Sequence, residues 1–424
     1  MKLNDKNILI LGLPRFDSEL ESTNYTSAKI LARNNRVIYV ENPHTLRDYW
    51  SERHSSKMKR RKGYLSLWST EVMPTDIPNL SIVIPPVLLS INFLPEGLLY
   101  RLALWVNEFL LGWKLNRILK KQNFASYFYI NSFNFHYPTL TRYLKPVLKV
   151  YHCLDPLIVA FDRRHGLLSE RELIVGSDLV ICSSRSLYEE KRLLNPHCTF
   201  IPNAADIRHS IRSLDDRMPI HPLYASITGP VVGYFGAIER RIDYPLLEAT
   251  AKQLPDITFL LVGPVQQEYV PDSLVQCPNI IFYGPVPYSE LPSVLKGFDV
   301  AIIPFKKDEV SRTIFPLKLF EYLGAGKPVV CTDFNLDLAE FSMDTVAYCS
   351  TVPTFVAAIR NAASDKSPDS VKKRIDVARN NTWDRRVDEM SASIYGRWAS
   401  YTPDPSESSL EPSRDGERTG LGLK

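Results

Sequence analysis

Apolar and polar positions along the chain fall into short β-branched and aromatic runs separated by longer stretches with helical spacing. In the first half the runs predict strands at 7–12 (NILILG), 36–41 (RVIYVE), 80–84, 126–131 (SYFYIN), 147–152 (LKVYHC), 178–182 (DLVIC) and 198–202. Helices are predicted in the gaps, notably at 22–34 and 184–194. Such alternation is the signature of parallel sheets with helical crossovers, because strands buried on both faces read as continuous apolar runs.

From Asp206 to Gly229 the chain is polar, proline-bearing and aperiodic, the make-up of a linker. The alternation then resumes, with strands predicted at 230–236 (PVVGYFG), 257–262, 279–283, 299–303, 328–332 and 345–349. Trp383, Val387, Met390, Ile394 and Trp398 recur at helical spacing. The stretch 401–424 has no hydrophobic face and is rich in Ser, Pro and charge, so it is expected to be disordered. The organisation expected is α/β, with a Rossmann-like domain at 1–206, a linker at 207–229, a second Rossmann-like domain at 230–382, a helix at 383–400 and a tail at 401–424.

Length agrees with two domains, since 424 residues exceed what one hydrophobic core organises. Formal charge is +4, too small a bias for a dedicated nucleic-acid binder. The six cysteines are widely spaced without CxxC pairs or zinc spacing and sit largely in apolar runs, so they read as reduced core residues of a reducing, cytoplasmic setting. The apolar run Ile8–Leu13 is too short for a signal-peptide core, and no stretch of about eighteen apolar residues occurs.

Candidate chemistry concentrates in Ser311–Thr332, SRTIFPLKLFEYLGAGKPVVCT. Pro316 suits the first turn of a helix running through Leu317, Leu319, Phe320 and Leu323. The uncapped amides of that turn form an anion site, and Lys318 adds a full charge beside them. Glu321, one turn on, offers a carboxylate to a pair of adjacent hydroxyls, as on a ribose. Gly324 and Gly326 close the helix before Pro328 starts the next strand. A surface helix with ordinary charges is the competing interpretation of this window.

PLKLFEYLGAGKPVV resembles the signature of GT-B glycosyltransferases of the group 1, or family 4, kind, especially those similar to teichuronic-acid and exopolysaccharide transferases. The resemblance extends through VVGYFGAIERRIDYPLLEATAKQLPDITFLLVGP, PNIIFYGPVPYSELPSVLKGFDVAIIPF, KVYHCLDPLIVAF and SDLVICSSRSLYEEKRLLNPHCTFIPNAAD, leaving out 45–120 and the tail. It implies two doubly wound domains facing a cleft, a C-terminal helix returning to the first domain, and a nucleotide diphosphate sugar held mainly by 230–332. By motif, Gly233 and Gly236 with Arg240 and Arg241 approach the diphosphate, and Gly263 and Pro264 face the cleft. Gly284 and Val286 lie along the base, Pro316, Leu317 and Lys318 bind phosphate, and Glu321 binds the ribose. Two departures stand out: Thr313 occupies the place of an acidic residue eight positions before Glu321, with Asp308 and Glu309 further upstream, and Ala237 replaces an arginine after the first glycine turn. No DxD pair stands in a suitable context, so neither a metal nor a cofactor is expected. Fixed cations and amide dipoles must then stabilise the departing diphosphate. The resemblance also implies retention of anomeric configuration.

In the first half, His152 and Asp155 lie at the carboxyl edge of a strand, where open α/β sheets bind ligands. Either could orient the acceptor, hydrogen-bond the sugar or act as base, and Asp155 could instead cap a helix. The polar loop at 14–24 is a candidate on the acceptor side. The run 53–62 concentrates Arg53, His54, Lys57, Lys59, Arg60, Arg61 and Lys62, and 88–119 places Phe93, Leu98, Leu99, Trp105, Phe109 and Trp113 among only a few charges. A basic cluster beside an aromatic amphipathic segment suits a peripheral position on the inner, anionic face of a membrane, with Lys57, Lys59, Arg60, Arg61, Lys62, Trp105 and Trp113 as contacts. A buried helix with a solvated loop is the alternative. The expected partners are thus a nucleotide-sugar donor, a glycan or lipid-linked acceptor and an anionic membrane, without nucleic acid. The function expected is sugar transfer, of the hexosyl type, in bacterial cell-surface polysaccharide synthesis. A nucleotide-sugar epimerase or a non-catalytic adaptor on the same fold are the other classes considered. A dehydrogenase is less favoured because no GxGxxG follows the first strand of either half.

Overall fold

The computed structural model describes residues 1–17 and 22–401, and the predicted tail, apart from Tyr401, lies outside them. Apolar runs buried on both faces form two parallel sheets. The first contains β1 (Asn7–Gly12), β2 (Arg36–Val40), β3 (Met73–Pro74), β4 (Leu80–Val83), β5 (Tyr127–Ser132), β6 (Leu148–Cys153), β7 (Leu179–Cys182) and β8 (Cys198–Phe200), in the order β3-β4-β2-β1-β5-β6-β7-β8. Only the two-residue β3 is antiparallel to its neighbour. It is too short to leave a period in the sequence.

The second sheet contains β9 (Val231–Phe235), β10 (Thr258–Val262), β11 (Ile280–Gly284), β12 (Val300–Ile303), β13 (Val329–Thr332) and β14 (Val346–Cys349). Its order, β11-β10-β9-β12-β13-β14, reverses direction between β9 and β12. Chain connections leave in opposite senses there, opening a crevice at the carboxyl ends where doubly wound sheets bind ligands. The first sheet has the equivalent reversal between β1 and β5.

Residues 207–229, polar in sequence, are packed rather than extended. Ile207 and Leu223 enter the second domain's core, and Lys296 Nζ donates to the carbonyls of Asp215 and Met218 at 2.8 and 2.7 Å. Polarity reflects backbone groups satisfied by side chains, and the chain passes from the first domain to the second in the short span around Ala205. Ala205 forms a parallel bridge with Thr382, beside which the chain crosses back. The Trp383–Ala399 helix then buries Val387, Met390 and Ile394 in the first domain's core with Ile8, Ala28 and Phe128.

Candidate nucleotide-sugar site

Three strand ends of the second sheet are laced into one floor. Gly236 N–H donates to the Val262 carbonyl at 2.9 Å, Gly263 N–H to the Gly284 carbonyl at 2.8 Å, and Ile238 N–H to the Pro264 carbonyl at 2.9 Å. Gly236 and Gly263 have φ of 127° and 149°, a conformation that side chains rarely adopt. A Cβ on Gly263 would stand 2.1 Å from the Gly236 oxygen, so the two turns can approach only as glycines. Pro264 is exposed, Gly284 and Val286 are half-buried, and Val286 packs against the domain core. Gly233 stands apart from this floor: it lies within β9, where the Phe298 ring fills the space of its missing Cβ. Its glycine serves packing of the core.

The Leu317–Gly324 helix begins beside that floor. Pro316 is its N-cap and no side chain caps the first turn. Leu319, Phe320 and Leu323 are fully buried, which fixes the helix so that Lys318 reaches β9. Lys318 Nζ donates to the Tyr234 hydroxyl at 2.6 Å and lies 4.0 Å from that ring's centroid, a cation–π contact. A Cβ on Gly236 would come within 2.6 Å of Nζ, so glycine leaves the ammonium its place. Burial lowers the Lys318 ammonium to about 7, with the Arg241 guanidinium pushing the same way and Glu321 and Glu239 opposing. Arg241 is ion-paired with Glu239, while Arg240 makes no ion pair among the described residues. Lys318 and Arg241 lie over the same Phe305 ring, 5.2 and 6.0 Å from its centroid, and Lys318 belongs to the first turn of an uncapped helix, an arrangement that favours a bound anion.

Glu321 follows on the same helix and accepts from the Tyr288 hydroxyl at 3.5 Å. Tyr288 stacks on His209 with centroids 4.1 Å apart at 13°. Sequence reasoning passed over Tyr234, Tyr288 and His209. Tyr234 was accessible to it, since a residue two before Gly236 shares its face of the strand. His209 was not, because it comes from the packed 207–229 segment.

Both sequence departures have local explanations. Thr313 is buried and donates to the Val310 carbonyl at 2.6 Å, Asp308 caps the Ser311 amide at 2.7 Å, and Glu309 pairs with Arg312 at 2.6 Å. Ala237 uses its carbonyl to accept the Tyr234 hydroxyl at 3.0 Å.

Across the cleft, Asp155 follows β6 in an open bend. The next helix starts at Ala160 with Val159 as N-cap, so Asp155 does not cap it. Although its side chain is open to the cleft, crowding by surrounding protein raises its carboxyl to about 6, and Arg241 of the second domain partly offsets this. Asp155 is thus within electrostatic reach of Arg241 from the opposite domain. His152 is buried within β6, its Nδ1 3.3 Å from Ser132 Oγ, and burial lowers its imidazole to about 4. It is a neutral hydrogen-bonding group at the cleft's inner edge. Arg185 closes one side, donating its backbone amide to Asp337 at 2.9 Å and pairing with Glu340 at 2.5 Å.

This geometry has counterparts among known proteins. Residues 229–365 match the model of the family "Glycosyl transferases group 1". That match spans most of the second domain. The chain is also 32% identical over 198 residues to the putative teichuronic acid biosynthesis glycosyltransferase TuaH of Bacillus subtilis, a match covering 43% of this chain and 50% of that protein. The chain therefore aligns with about half the length of this curated relative. Among solved structures, sucrose-phosphate synthase from Thermosynechococcus elongatus superposes with a TM-score of 0.62 at 13% identity, covering 94% of this chain and all of that one. HepE from Anabaena, solved in complex with UDP and glucose, gives 0.58 at 15% identity, with coverage of 92% and 99%. The two domains thus form a GT-B fold.

The residues expected at a membrane differ in exposure. Arg61 is buried, its guanidinium held by Glu41 at 2.7 Å and Asp17 at 2.6 Å, so this position is corrected from a lipid contact to an internal ion pair. A charge in one short helix cannot face both Glu41 and solvent. Lys57, Lys59, Arg60 and Lys62 are exposed, with Arg60 sharing Asp17 at 2.8 Å. Trp113 is half-buried, edge-on to Trp68 with centroids 5.0 Å apart, whereas Trp105 is exposed. No helix among the described residues is long and apolar enough to cross a membrane.

Proposed function

We propose that the chain transfers a hexosyl group from a nucleotide diphosphate sugar to a glycan or lipid-linked acceptor in cell-surface polysaccharide synthesis, with retention of configuration. The observation that carries this is the placement of Lys318 and Arg241 over one Phe305 ring, with Lys318 in the uncapped first turn of the Leu317–Gly324 helix and Asp155 within electrostatic reach from the opposite domain. Diphosphate would sit on that start, its charge drawing the Lys318 ammonium fully into the protonated state. Glu321 would receive the ribose hydroxyls, with the base toward Gly284 and Val286. As the glycosidic bond to the sugar breaks, negative charge grows on the diphosphate, and cations already in place stabilise it without rearrangement.

Asp155 is ionised above about pH 6, which leaves it able to accept a proton or hydrogen bond from a sugar or acceptor hydroxyl at neutral pH. His152, neutral and tied to Ser132, would orient the sugar from beneath. HepE's complexes with UDP and glucose and with UDP-glucose make UDP-glucose the first donor to try, and TuaH's naming for teichuronic acid biosynthesis supports a polysaccharide acceptor. An acceptor of that kind carried on a lipid would be met at the inner face of the membrane. The resemblance of the signature segment is the support for retention, and the anomer of an isolated product checks it by NMR.

The experiment is acceptor-dependent release of nucleoside diphosphate with the wild type and Asp155→Asn. Asp155→Asn should lower turnover by at least about a hundredfold while donor affinity in calorimetry stays near wild type. Wild-type turnover in that variant removes Asp155 from the mechanism. Absence of nucleotide diphosphate binding by the wild type defeats the proposal as a whole.

A further inference from the structure

The Leu98–Lys121 helix inverts the usual relation of charge to solvent. Glu108 and Lys114 point inward, Glu108 accepting the Thr139 amide at 2.6 Å and Lys114 donating to the Tyr64 carbonyl at 2.6 Å. Outward stand Leu98, Leu102, Trp105 and Phe109, spaced four, three and four residues apart on one face, with exposures of 85%, 56%, 50% and 44%. Leu99 is exposed beside them, and Phe93 just before the helix is 70% exposed. Large apolar residues in an unbroken stripe are uncommon on a surface that meets only water.

A second helix, Ala160–Gly176, lies alongside. Tyr100 stacks on His165 with centroids 3.7 Å apart, and Arg101 bonds Glu172 at 2.8 Å. This helix exposes Phe161, Leu167, Leu168 and Val175, interleaved with exposed Arg163, Arg164 and Arg171. Its acids are largely engaged: Glu172 with Arg101, and Glu170 buried against Lys191 at 2.9 Å. Glu96 is likewise held by Arg101 and His165, so Asp162 is the remaining carboxylate near Phe161. The three arginines make no ion pair among the described residues.

We infer that these two helices form the surface on which the protein rests on an anionic bilayer. Apolar side chains would enter the acyl boundary while Arg163, Arg164 and Arg171 meet headgroup phosphates, the division of labour of an interfacial helix. A second copy of the chain is a poorer occupant, because a twofold contact would bring like-charged arginine clusters together. The Ala160–Gly176 helix begins five residues after Asp155, so docking here would present the cleft's acceptor side to the membrane. The inference rests on the reading of a membrane-borne acceptor, but it concerns residues separate from the nucleotide site.

The test is sedimentation of the full chain with vesicles of equal parts phosphatidylglycerol and phosphatidylcholine, at low and high salt. Wild type should sediment, and Leu102→Asp/Trp105→Asp should lose more than about tenfold in partitioning at both salt levels. Replacing Arg163, Arg164 and Arg171 with Gln should lose roughly fivefold per arginine at low salt and much less at high salt. Nucleotide diphosphate affinity in calorimetry should be unchanged in both variants, which certifies their fold and keeps this test apart from that of the donor site. A wild type that stays in solution, or a Leu102→Asp/Trp105→Asp variant that sediments like it, overturns the inference. So does a wild type that ignores vesicles but forms a dimer the double variant dissolves. Loss of binding on changing only Lys57, Lys59 and Lys62 would overturn it as well, by placing the contact elsewhere.

Discussion

The two sheets share a topological reversal, yet only one is left open at it. In the first domain, Tyr39 fills the place beside Gly12 at the end of β1: a Cβ there would meet its hydroxyl at 1.9 Å, and that hydroxyl donates to the Pro14 carbonyl at 2.8 Å. Asn134 completes the plug by donating to the Gly12 carbonyl at 3.1 Å. In the second domain, the equivalent place beside Gly236 holds the Lys318 ammonium. A neutral phenol satisfied by backbone needs no ligand, whereas a half-buried ammonium beside a guanidinium is best stabilised by an anion. The same strand order therefore yields a structural joint in one half and a binding site in the other, and two side chains decide which.

The contrast breaks most sharply at Gly263. Gly263→Ala sets a Cβ against the Gly236 oxygen at an unfavourable φ, and should cost about 3 kcal/mol or more, read as a fall in melting temperature together with loss of nucleotide affinity. Glu321→Ala should leave stability nearly intact and weaken nucleotide diphosphate binding by about 1.5–3 kcal/mol in calorimetry. A third effect is in pH. Because the free Lys318 titrates near 7 and a bound diphosphate favours its ammonium form, binding should take up a proton above that pH. Affinity should then fall by up to about tenfold per pH unit above 7, and Lys318→Gln should flatten this part of the profile. The smallest effect belongs to the plug: Tyr39→Phe should cost about 1 kcal/mol of stability without changing nucleotide affinity. A large loss of affinity there would mean that the two reversals are not independent.

Strand positions were legible in the sequence because each is an apolar run bounded by polar residues or glycine, and all six of the second sheet lie within a residue or two of their predicted places. Lys318 and Glu321 were legible for a different reason: proline, lysine and glutamate at helical spacing describe a helix start by local rules alone. What stayed hidden depended on partners distant in the chain. Gly233 looks like Gly236 in sequence, and only Phe298 distinguishes them. Arg61 looks like its basic neighbours, but Glu41, just past the end of β2, and Asp17 draw it inside. The inward turn of Glu108 and Lys114 on the Leu98–Lys121 helix was hidden for the same reason, since they are satisfied by Thr139 and Tyr64, residues that no periodicity connects to it.

The return of the Trp383–Ala399 helix to the first domain has a consequence for biosynthesis. Val387, Met390 and Ile394 complete a core whose other members, such as Ile8 and Ala28, emerge from the ribosome more than three hundred residues earlier. At about 5–20 residues per second, that apolar surface stays uncovered for tens of seconds while the second domain, whose sheet is contiguous in sequence, can already close. The domain made first is thus the one finished last, and a nascent chain stalled before residue 383 should be held by chaperones through its amino-terminal half.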